Sequence, residues 1–86
     1  MLMIAKGTIH RPVTDQERRA ASAWLGPMTD AGFLHGGWIE TAGHHLWMVI
    51  SAPDLVDAQQ RLDNLPPARA GSVSFTVTRV EALRTS

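Results

Sequence analysis

Phe33 to Ser51 reads FLHGGWIETAGHHLWMVIS, and the way this stretch pairs with itself decides the fold. It holds two of the three tryptophans and three of the four histidines. Thr41-Ala42-Gly43 supplies a three-residue hairpin loop. The last loop position is left-handed, a conformation glycine enters without steric penalty. This pairing sets Glu40 opposite His44, Trp38 opposite Leu46, Gly36 opposite Met48 and Gly37 opposite Trp47. Side chains alternate across a strand. One face then carries Leu34, Gly36, Trp38, Glu40, His44, Leu46, Met48 and Ile50. The other carries Phe33, His35, Gly37, Ile39, His45, Trp47 and Val49. Both faces are apolar enough to require cover.

Upstream, Leu2 to His10 alternates loosely and ends at Arg11-Pro12, so it reads as a first strand. Gly7 within it signals a bulge or a close approach by another group. Thr14-Asp15-Gln16-Glu17 has capping-box spacing and starts a first helix. Ala20, Ala21, Trp24, Leu25 and Met28 form its packing face. Gly26-Pro27 predicts a kink, and Gly32 closes the helix as a left-handed cap.

Downstream, Ser51-Ala52-Pro53-Asp54 starts a second helix with proline in its first turn. Leu55, Ala58, Leu62 and Leu65 line one side of it. Pro66-Pro67 ends it, and Ala68 to Gly71 is a loop. Ser72 to Leu83 alternates as a last strand, and Arg84-Thr85-Ser86 reads as a frayed tail. The order β-α-β-β-α-β predicts an α+β, ferredoxin-like domain: a four-stranded antiparallel sheet with two helices on one face.

The 86 residues suffice for one small domain, 1–86, with a marginal core. Cysteine is absent, which removes disulfides and thiolate metal sites and fits a cytoplasmic protein. Self-association is the remaining source of support, so a homodimer or higher homo-oligomer is expected. Eight basic and eight acidic residues cancel, with no basic stripe, which argues against nucleic acid. No stretch has the length and apolarity of a membrane span or signal segment.

The chain resembles the dimeric α/β-barrel superfamily, in particular its muconolactone isomerase-like and YCII-related branches. The resemblance rests on Met1-Leu-Met-Ile4, Ala31-Gly-Phe-Leu-His-Gly-Gly-Trp38, Leu46-Trp-Met-Val-Ile50 and Leu62-Asp-Asn-Leu-Pro66. It implies face-to-face pairing of two sheets and, in many members, cofactor-free chemistry on small metabolites. YCII-like members tend to carry a histidine near the start of the first helix. Here that position reads Thr14-Asp-Gln-Glu17, and the nearest histidine is His10.

Histidine exchanges protons near neutral pH, which makes His35, His45 and His10 the candidate acid/base residues. Alternation puts His35 and His45 beside Trp47. Trp47, Trp38, Trp24 and Met48 are the candidate substrate contacts. Small residues Ala20, Ala21, Ala23, Gly36 and Gly37 leave room for a pocket between helix and sheet. His44 and His45 point to opposite strand faces, so a shared metal ion is not expected, and no cofactor motif is present. The expected activity is isomerisation or cyclisation of a small cyclic metabolite or polyketide by proton transfer. The alternatives are cofactor-independent oxygenation and a non-catalytic binding or assembly domain.

Overall fold

The computed structural model describes residues 1–81 and 83. Strand β1 spans Leu2–Ile9, followed by helices α1 (Asp15–Ala20) and α2 (Ser22–Asp30). The hairpin forms β2 (Leu34–Ile39) and β3 (His45–Ser51). Helix α3 (Leu55–Asp63), a short helix α4 (Pro66–Arg69) and strand β4 (Val73–Arg79) complete the chain. The strands form one antiparallel sheet in the order β2-β3-β1-β4. This is an α+β fold, compatible with a ferredoxin-like plan.

Local chemistry places most element ends. Thr14 accepts from the Glu17 backbone N–H and the Glu17 carboxylate accepts from the Thr14 N–H, a complete capping box. Gly32, at φ +76°, closes α2 while Phe33 N–H donates to Met28 O and Gly32 N–H to Thr29 O. That pair of bonds is the Schellman arrangement. Asp54 caps α3 by accepting from Asp57 N–H at 2.7 Å.

Several expectations need correction. The first helical segment breaks at Ala21, whose N–H bonds to Arg18 O at 3.3 Å, and not at Gly26-Pro27. Pro27 lies inside α2, and the Ala23 carbonyl it leaves without a donor belongs to an exposed residue that water reaches. Pro53 precedes the cap of α3 and is outside its first turn. Pro66-Pro67 starts α4, because proline fits the first helical positions as well as it ends a preceding helix. Leu55 is exposed, whereas Ala58, Leu62 and Leu65 are buried. β4 stops at Arg79, and the tail 84–86 lies outside the described residues.

The hairpin register also differs. Trp38 pairs with Trp47, Ile39 with Leu46, Gly37 with Met48 and Gly36 with Val49. Glu40 N–H donates to His45 O, which carries the pairing one residue past β2 and leaves a four-residue loop, Thr41 to His44. The extra loop residue is absorbed by a bulge at His35, since Leu34 pairs with Ile50 and Gly36 with Val49. Gly36, Trp38 and Glu40 therefore share a face with His45 and Trp47, while Gly37 and Ile39 join Leu46 and Met48.

The core lies on the helix side of the sheet. Met3 and Ala5 of β1, Met48 and Ile50 of β3, and Val73 and Phe75 of β4 pack there with Leu34, Ala58 and Leu62. Ile50, Met3 and Leu62 are fully buried, each worth roughly 1.5–3 kcal/mol of apolar transfer. Gly7 is the close approach its strand position suggested: a Cβ there would sit 2.8 Å from Leu46 Cγ and 3.1 Å from Phe75 Cε1. No helix among the described residues is long and apolar enough to cross a membrane.

Candidate functional site

Two surfaces of the sheet carry the candidate residues, and they are chemically distinct. Under α1 and α2 lies a partly open cavity of about 570 Å³. Ala21, Trp24 and Leu25 form its helical wall, and Leu34, Leu46, Met48, Val73 and Phe75 form its sheet wall. The gap exists because α1 and α2 bury no residue completely and because Ala21 and Gly37 stand where larger side chains would fill it. Its polar side chains are Glu17, Arg18 and Thr29.

Glu17 is held in place by its own cap. Its Oε1 accepts from Arg11 at 3.0 Å and from the Thr14 N–H at 3.2 Å. The Thr14 backbone bond, with Arg11 beside it, holds the Glu17 carboxyl below its usual range. The Thr29 hydroxyl donates to Leu25 O at 2.9 Å, so its proton is already committed.

The opposite sheet face carries no helix. There His45 Nδ1 lies 2.5 Å from Glu40 Oε1 and its ring is 5.9 Å from that of Trp47. His35 Nε2 lies 2.6 Å from Ser51 Oγ, and His10 Nε2 lies 2.7 Å from Ser74 Oγ. Each of the three rings thus hydrogen-bonds to a neighbour on another strand or across the hairpin. His44 is exposed in the hairpin connection. Trp38, 65% exposed, pairs with the partly buried Trp47 at the β2 edge of this surface.

Of the expected substrate contacts, Trp24 and Met48 line the cavity directly. Trp38 and Trp47 border it too, although alternation sends their indoles to the open face. The expected acid/base residues His10, His35 and His45 do not line it. Sequence reasoning passed over Arg18, Leu25 and Thr29 as site residues. The spacing of Arg18, Ala21 and Leu25, three and four residues apart, was the available signal that they point to one side of the helical segment 15–30, and the break at Ala21 leaves all three lining the cavity. Among the described residues no cluster of three histidine or carboxylate side chains is placed to hold a metal ion.

Fold and site together describe a small α+β domain with an apolar cavity under its helices and a histidine-bearing open sheet. No protein-family model matches the chain, and no curated protein matches it in sequence.

Proposed function

We propose that the chain is a small-molecule-binding domain of dimeric α/β-barrel type. Two copies pair their open sheet faces, and each keeps an apolar cavity beneath its own helices. One observation carries this reading: the cavity is walled by Trp24, Leu25, Leu34, Met48 and Phe75, and no histidine lines it. A pocket of a few hundred Å³ with a mainly hydrophobic lining and few polar groups is the usual form of a small-molecule site. The open face supports pairing because Trp38, Leu2 and Ile4 would otherwise remain in contact with water on a domain of this size.

Cofactor-free isomerisation or cyclisation is the second reading, favoured by the His45 ring beside Trp47. It places the substrate at the seam between two copies, where His10, His35 and His45 supply the base, and leaves the cavity without a part in the reaction.

A neutral apolar fluorophore, N-phenyl-1-naphthylamine, separates the two. Saturable binding of one probe per chain is expected, lost in Ala21→Trp and Thr29→Trp and kept in His35→Asn. Absence of saturable binding, or binding unchanged by both tryptophan substitutions in folded protein, overturns the cavity reading.

A further inference from the structure

We infer that the cavity selects an apolar molecule carrying a single carboxylate, and that Arg18 holds that carboxylate at the mouth. This rests on the cavity being a binding site and adds the chemical class of its ligand. The cavity has a hydrocarbon-like interior, so the body of the ligand is apolar. Its charged groups are Glu17 and Arg18, adjacent in sequence but in different situations. Glu17 is matched: Arg11 lies 3.0 Å from its Oε1, and the same oxygen takes the Thr14 N–H. Arg18 has no such partner; the ion pairs among the described residues are Arg11–Glu17, His45–Glu40 and Arg61–Asp57. The mouth therefore carries one surplus positive charge.

A guanidinium offers paired N–H donors in a plane that matches a carboxylate. A cationic ligand would face Arg18, with the carboxylate among the described lining residues, Glu17, already engaged by Arg11. A neutral polyol would find few partners, since the Thr29 hydroxyl proton is committed to Leu25 O. An apolar acid satisfies both the walls and the mouth.

The test compares three ligands with one aromatic body: 2-naphthoate, 2-naphthylmethanol and 2-naphthylmethylamine. Affinities are read by tryptophan fluorescence at neutral pH and low salt. The acid is expected to bind roughly tenfold tighter than the other two, as a hydrogen bond to a charged group supports. Added salt narrows that gap. Arg18→Gln is expected to bring the acid to within about twofold of the alcohol without changing the alcohol's own affinity. Equal binding of all three, preference for the amine, or acid affinity unaltered in Arg18→Gln overturns the carboxylate assignment while leaving the cavity standing. Failure of all three to bind removes the cavity reading and this inference together.

Discussion

Glu40 meets the ring of His45, not that of His44, across the mouth of the hairpin, with Oε1 and Nδ1 2.5 Å apart. Both side chains are about one-third exposed, 33% for His45 and 32% for Glu40. Solvent screens the pair, so a double-mutant cycle with Glu40→Gln and His45→Asn should return a coupling below about 1 kcal/mol. The same cycle with His44→Asn should return none. Coupling to His44 instead would restore the three-residue loop.

Glycine substitutions distinguish conformational from packing costs. Gly43 has φ +77° with no neighbour near its missing Cβ, so Gly43→Ala should lose roughly 1 kcal/mol through backbone strain alone. Gly7 faces Leu46 and Phe75, and Gly7→Ala should cost about 1–3 kcal/mol by overpacking. In a Leu46→Ala background the cost of Gly7→Ala should shrink while that of Gly43→Ala should not. Chemical denaturation measures the three single and two double variants.

These residues also show what the sequence exposes and what it hides. Thr14, Gly32 and Gly43 act through bonds or dihedrals within a few residues of themselves, so their roles are legible locally. Asp54 acts as locally, yet the proline before it reads equally well as a first-turn residue and sets the start of α3 too early. Element order followed from the same signals. Register did not. Three-residue and four-residue loops both accommodate a left-handed Gly43, and the choice is made by pairing Trp38 with Trp47 across the sheet. The bulge at His35 is invisible for the same reason, since it exists only to restore Leu34 to the core opposite Ile50. The histidine group was legible as a group, but its separation from the cavity depends on which face the helices cover. Arg18 was overlooked because an exposed arginine looks like any other until the cavity beside it is known.

Acid should weaken the first capping box. The Glu17 carboxyl is held below its ordinary value of 4.5, chiefly by the Thr14 N–H and then by Arg11. A carboxylate with a lowered folded-state pKa contributes stability that is complete above its unfolded value and lost as pH falls through the folded one. Wild-type stability should therefore decline below pH 4.5 more steeply than that of Glu17→Gln. Parallel thermal-melt profiles over this range would discard the contribution of the charged carboxylate, since glutamine can still accept the Thr14 N–H.

Association through the open face should be measurable by sedimentation equilibrium. A homodimer is expected at micromolar concentration, and Trp38→Glu, which replaces the most exposed tryptophan of that face with a charge, should shift the population to monomer. A wild-type monomer under the same conditions would exclude the pairing.

The bulge at His35 has a consequence beyond register. A regular outer strand presents a row of unpaired backbone groups, a template on which further chains extend into a filament. β2 is an outer strand, and the bulge at His35 breaks that row near its start. On the far side, Gln59 Nε2 donates to Phe75 O at 2.9 Å and occupies part of the rim of β4. Both margins of the sheet are thus poor seeds for endless growth. The pairing proposed above would use the broad surface between them, and two copies joined there would close on each other and stop.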